Sequence, residues 1–183
     1  MIVVHLRLIG EAMVNQVELT ERETSELVAS SPDLEHLINW LDRLGQRATL
    51  KIIEEKLLNL NINTDEISTF LGYTDDGYQR NIVKKTDHYE LVLICWKPGQ
   101  KTPIHDHKGS DCAFLILEGV STESIFVTEG DGLELSRVRK YAPGEVCAAG
   151  EPDIHRISNE EGINLVNLHL YTPPLRNINI YED

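Results

Sequence analysis

Apolar positions along the chain follow two periods, a helical one up to about Gly72 and a strand-like one after it. In the first stretch Leu34, Leu37, Ile38, Leu41 and Leu44 recur at helical spacing. Leu50, Ile53, Leu57 and Leu60 fall on one face of a further run. The start signals agree with this. Thr20-Glu21-Arg22-Glu23 has the capping-box pattern, in which a Thr side chain and a Glu three residues on satisfy each other's backbone N–H groups. It predicts a helix running to about Ser30. Ser31-Pro32 opens the next helix, because Pro is tolerated at the first helical position, and Gly45 reads as its C-terminal cap. Thr64 opens one more short helix before Gly72.

After Gly72 the segments Tyr78–Lys84, Tyr89–Trp96, Cys112–Leu117, Ser124–Thr128, Leu133–Tyr141, Ile154–Ile157 and Ile163–Tyr171 read as strands. They are rich in β-branched and aromatic residues and are separated by Gly, Pro or Asp clusters. Glu118-Gly119 reads as a hairpin turn between two of them. Helices followed by many short strands give an α+β, mainly β protein whose β part is a sandwich or barrel. No internal repeat, linker or low-complexity segment divides the chain. Residues 1–183 therefore read as a single domain, with 1–72 a helical N-terminal layer and 73–183 the β-barrel.

Composition narrows the partners. The 183 residues carry 17 Lys and Arg against 30 Asp and Glu, a net charge of −13. Phosphate backbones and anionic lipid need clustered positive charge, so no nucleic-acid or membrane partner is expected. The three cysteines give no disulfide framework, so a cytoplasmic location is expected; the chain is taken to be a monomer. Cys95, Cys147 and Trp96 read as core filling. His5 and Arg7 interrupt the first apolar residues, leaving no signal-peptide core, and no stretch approaches the roughly 18 apolar residues of a membrane span.

Candidate chemistry lies in the histidines. His105 and His107 are two apart, and on an extended segment residues i and i+2 point to the same face, so both imidazoles can reach one metal ion. His155, 48 residues after His107, lies in another expected strand. A bare His-x-His pair is common by chance, and its context decides its weight. His5, His36 and His88 have no ligand-like spacing.

The context is specific. Gly99, five residues, His105, one residue, His107, four residues, Cys112, six residues, Gly119 matches the first motif of the cupin superfamily, with Cys112 in place of the usual Glu. The second motif is partial. His155, three residues, Asn159 fits it, but Gly150 precedes Pro152 instead of following a proline. The strings TPIHDHKGSDCAFLILEG, LHLYTPPL and GYQRNIV…ELVLICW resemble the metal segment, C-terminal signature and substrate strands of the cysteine dioxygenase type I family, the thiol dioxygenase branch of the superfamily. The resemblance covers roughly residues 70 to 175.

It implies a cupin β-barrel (a double-stranded β-helix or jelly roll) preceded by N-terminal helices. It also implies one Fe(II) per chain held by His105, His107 and His155, with O2 as co-substrate and L-cysteine oxidised to cysteine sulfinate. Arg80 and Tyr78 match the residues at the substrate carboxylate. Tyr171 matches the tyrosine whose hydroxyl points at the substrate, and His169 the histidine that supports it. Cys112 matches a cysteine that in some members forms a thioether with that tyrosine. Asn167 stands where members commonly carry Ser. Thr172-Pro173-Pro174 is a candidate for a cis peptide.

Three rivals stay open at this point. One is a dioxygenase of 3-mercaptopropionate or another thiol carboxylate; relatives with that preference tend to have Gln at the Arg80 position, and Gln79 is its neighbour. Another is a non-enzymatic cupin that binds a small molecule or a metal. The last is a different ion, such as Zn or Ni, in the same imidazole site.

Overall fold

The helical period of residues 21 to 58 forms three helices that cover one sheet. The computed structural model describes residues 4–9, 12–130, 132–150 and 153–182, so Pro152 and the side chain of His5 fall outside the described part. Helix α1 (Glu21–Ser30) has the expected capping box: the Glu23 N–H donates to Thr20 Oγ1 at 3.2 Å, and the Thr20 N–H donates to Glu23 Oε2 at 2.8 Å. Helix α2 (Pro32–Asp42) begins with Pro32 after Ser31 and buries Leu34, Leu37, Ile38 and Leu41. It stops at Arg43 and not at Gly45: the Leu44 N–H donates back to Leu41 O at 3.1 Å, closing the last turn without a left-handed glycine. Helix α3 (Leu50–Leu58) buries Ile53 and Leu57, and Leu60 lies just beyond it. The short helix expected from Thr64 is only one 3-10 turn, Ser68–Phe70.

The expectation that residues 1–72 form a helical layer needs correction. Strands β1 (Val4–Ile9) and β2 (Ala12–Glu18) pair antiparallel, and β2 runs parallel to β3 (Gln79–Lys85) from Asn15↔Gln79 to Glu18↔Ile82. Val14 and Val17 are buried by this pairing. The open edge of a sheet formed 60 residues later decides the conformation, a tertiary effect that local period does not carry.

The β part adds β4 (Glu90–Trp96), β5 (Ile104–His105), β6 (Asp111–Glu118), β7 (Ser121–Glu129), β8 (Gly132–Tyr141), β9 (Val146–Ala149), β10 (Ile154–Ser158), β11 (Leu165–Thr172) and β12 (Ile180–Tyr181). They form a sheet ordered β1-β2-β3-β4-β11-β6-β9 and a second ordered β12-β5-β10-β7-β8. Glu118-Gly119 is therefore no hairpin turn. β6 and β7 belong to different sheets, and Gly119 turns the corner at φ +77°, where a Cβ would collide with the backbone of Asn164 and Leu165.

Strand alternation separates two cores. Leu91, Leu93 and Cys95 of β4, Ala113 and Leu115 of β6, and Leu168 and Leu170 of β11 pack under the helices. Val92, Ile94, Trp96, Cys112, Phe114 and Tyr171, from the same strands, face the barrel interior with Tyr78 and Ile157. Cys95 and Cys147 are buried free thiols, and Trp96 is fully buried, as expected of core filling; His36 and His88 are exposed. Leu168 is fully buried between helices and sheet. Leu168→Ala is expected to cost about 2–5 kcal/mol in urea unfolding, the usual range for truncating a buried leucine. A loss well under 1 kcal/mol would show that the helices do not press on β11. No helix among the described residues is long and apolar enough to cross a membrane.

Candidate metal centre and substrate cavity

The barrel interior opens into one cavity where His105, His107, His155, Arg80, Tyr78, Cys112, His169 and Tyr171 all meet. His105 and His155 face each other as register partners of the antiparallel pair β5–β10, and His107 follows two residues on. Ring centroids are 5.0 Å apart for His105–His107 and 4.9 Å for each of the other two pairs. One nitrogen from each ring lies within 4.8 Å of the others.

Each imidazole is anchored through Nδ1 to a group that only accepts. The partners are Pro103 O at 3.0 Å for His105, Asp153 Oδ2 at 3.2 Å for His107 and Glu123 Oε1 at 2.9 Å for His155. These contacts put the proton on Nδ1 and leave the Nε2 lone pair free. His155 Nε2 is buried with no hydrogen-bond partner among the described residues, an orphan that a metal ion would satisfy. Burial, with the neighbouring His155 and His107, drives the His105 pKa well below its usual value, and burial likewise lowers that of His107. Both rings are thus neutral, as metal ligands must be. The donor set fits a divalent first-row ion. Burial works to raise the Glu123 pKa, but hydrogen bonds from His155 and from the Tyr141 hydroxyl, 3.0 Å from Oε2, outweigh it and keep Glu123 ionised.

Arg80, 7% exposed, extends inside the barrel. Its Nη2 lies 3.0 Å from Glu90 Oε1, Lys85 Nζ stands 3.0 Å from Glu90 Oε2, and Arg80 Cζ is 5.5 Å from the Tyr171 ring centre. Tyr78 stacks on Trp96 at 4.3 Å, and burial pushes its pKa up to about 12. Gln79 points the other way, its Nε2 donating to Asn81 Oδ1 at 2.7 Å, so Arg80 and not Gln79 lines the cavity.

On β11, His169 and Tyr171 share the inward face as the alternation predicts, with Nδ1 and the phenol oxygen 3.2 Å apart. Cys112 is the register partner of Tyr171 across β6–β11, and its Sγ lies 3.9 Å from His169 Nδ1. Asn167 is fully buried beyond them, and neither polar atom of its side chain has a hydrogen-bond partner among the described residues. The expected cis peptide is present at Thr172–Pro173.

Sequence reasoning missed several functional residues. Glu90, Glu123 and Asp153 hold Arg80, His155 and His107, and composition argues against buried carboxylates. Only Asp153 carried a local signal, since it stands two residues before His155 and thus on its side of the chain. Asp106 was also missed. Lying between two proposed ligands, it grips the C-terminal segment: it accepts from the Asn179 N–H at 3.0 Å, Asn179 Nδ2 at 2.8 Å and the Tyr181 hydroxyl at 2.9 Å. β12 thereby pairs with β5 at His105, and Leu175 and Ile178 close one wall of the cavity.

Comparison with known proteins bears on the family and the fold. The sequence model of the cysteine dioxygenase type I family matches residues 22–183. Cysteine dioxygenase type 1 of Danio rerio is 27% identical over 158 residues, covering 81% of this chain and 79% of that protein. The Homo sapiens protein of that name is 28% identical over 157 residues, covering 81% and 78%. A Klebsiella pneumoniae protein with a double-stranded β-helix domain superposes with a TM-score of 0.53 at 16% identity, over 64% of this chain and 95% of its own. A Thermus thermophilus protein does so with a TM-score of 0.51 at 22% identity, over 59% and 94%. The superpositions carry the cupin barrel alone. The family match spans both the helices and the barrel that holds the three histidines, and the chain belongs to the cysteine dioxygenase type I family.

Proposed function

We propose that this thiol dioxygenase uses Fe(II), one per chain, and acts on L-cysteine, giving cysteine sulfinate. The observation that carries the reading is three Nδ1-anchored imidazoles converging in the same buried cavity as Arg80 and Tyr171. His105, His107 and His155 would hold the iron, which supplies a centre where a thiolate and O2 meet and exchange electrons. Both atoms of O2 end on sulfur, so the net reaction needs no external reductant. With three neutral ligands, the dipositive charge of the metal is left to stabilise the thiolate.

The protein's own groups orient the substrate. Arg80 takes the carboxylate in a bidentate fork, with the Tyr78 hydroxyl beside it. Glu90 holds Arg80 through one nitrogen and leaves the rest of the guanidinium to the cavity. The Tyr171 hydroxyl faces the substrate and is held by His169. Burial, with the neighbouring Cys112, keeps that hydroxyl protonated, its pKa well above the ordinary value. Cys112, the register partner of Tyr171, would form a thioether to that ring, the thiol and ring hydrogens leaving with O2 as H2O2. Ile94, Trp96, Phe114, Leu175 and Ile178 make the remaining walls apolar and keep bulk water from the sulfur.

Residues 1–183 act as one unit, with the helices bracing the outer face of the sheet that carries Arg80 and Tyr171. Purified protein supplied with Fe(II) and cysteine in air is expected to yield cysteine sulfinate with matched O2 uptake. Stoichiometric bound iron with no sulfinate would overturn the reading and leave a metal-binding cupin.

A further inference from the structure

Asp153 stands two residues before His155 and touches two of the three histidines. Its Oδ2 accepts from His107 Nδ1 at 3.2 Å and lies 3.9 Å from His155 Nε2, the buried nitrogen with no hydrogen-bond partner among the described residues. Its Oδ1 is also buried and has no hydrogen-bond partner among the described residues. Glu123 contacts only His155 within the triad. One oxygen of this carboxylate is buried and free of hydrogen bonds, the other faces His107 and His155, and these contacts among the described residues bring no balancing cation. A divalent ion at the three histidines would provide that balance.

The geometry points to Asp153 as a positioning residue of the metal centre. It fixes the ring of His107 and contributes negative charge that a divalent cation needs. This inference rests on the reading of His105, His107 and His155 as metal ligands. Its physical basis is the carboxylate–histidine–metal arrangement, in which the outer carboxylate orients the ring and raises its basicity. Removing such partners typically lowers metal affinity about 10–100-fold.

The test is Fe(II) affinity of the full chain, measured anaerobically by competition with a chromogenic chelator, with no turnover involved. Asp153→Asn keeps an acceptor for the His107 N–H and removes only the charge, and Asp153→Ala removes both. Affinity is expected to fall about tenfold in Asp153→Asn, further in Asp153→Ala, and to recover substantially in Asp153→Glu. Wild-type affinity in folded Asp153→Asn overturns the charge contribution, whatever happens to the stability of Asp153→Ala. His155→Ala is measured alongside. If it too binds like wild type, the histidine reading itself fails; if only it loses iron, the Asp153 proposal fails alone.

Discussion

Protein carrying His155→Ala is expected to retain no iron where the wild type retains one ion per chain, as measured by metal analysis after purification with added Fe(II). His155 is 1% exposed and closes the triad: its Nε2 is the orphaned nitrogen, and its backbone pairs with His105. Two imidazoles on one short segment remain in the variant, and a two-nitrogen set does not hold a labile divalent ion through purification. A second effect separates the metal from the fold. The substitution takes the imidazole from Glu123, 3% exposed, leaving it the Tyr141 hydroxyl at 3.0 Å and the Cys147 thiol. Leaving a buried carboxylate without its partner costs about 1–3 kcal/mol, so the metal-free variant should also unfold earlier. Adding Glu123→Gln should restore much of that stability without restoring iron. Iron retained at one per chain in His155→Ala would remove His155 from the ligand set.

Local sequence pattern carries some parts of this chain and not others. Strands β4, β6 and β11 are legible because burial on both faces, one under the helices and one inside the barrel, makes them nearly continuous runs of apolar residues. β5 and β12, two residues each, carry no periodic signal, yet they place His105 and close the cavity wall. The N-terminal hairpin is fixed by pairing with β3, which no local window contains. Site residues divide the same way. His105, His107 and His155 were found because ligand chemistry restricts both type and spacing. Glu90 and Glu123 were not, because a carboxylate in an otherwise apolar alternation gives no hint of which distant cation or imidazole it meets. The resemblance of short strings to one family linked the segments that spacing alone left separate, and the register of β6 with β11 then set Cys112 opposite Tyr171.

Arg80→Gln is expected to raise KM for cysteine about 10–100-fold, with a smaller change in kcat, and to narrow the preference for cysteine over 3-mercaptopropionate. Hydrogen bonds to a charged partner contribute about 1.5–3 kcal/mol, and a buried guanidinium makes two such bonds to a carboxylate in one plane. Glutamine offers a single neutral donor group and cannot reproduce the fork. The variant has a side effect that needs its own control. Glu90, 2% exposed, loses the 3.0 Å contact to Arg80 and keeps only the half-exposed Lys85. A misfolded site could therefore imitate lost recognition. The double variant Arg80→Gln/Glu90→Gln removes the stranded charge, and the raised KM should persist in it while stability recovers. Glu90→Gln alone should disturb KM less, since the guanidinium stays and only its tether weakens. The carboxylate role of Arg80 fails if KM for cysteine and the preference between the two thiols are both unchanged in Arg80→Gln. It fails equally if the double variant returns KM to the wild-type value, because the single variant would then have acted only through Glu90.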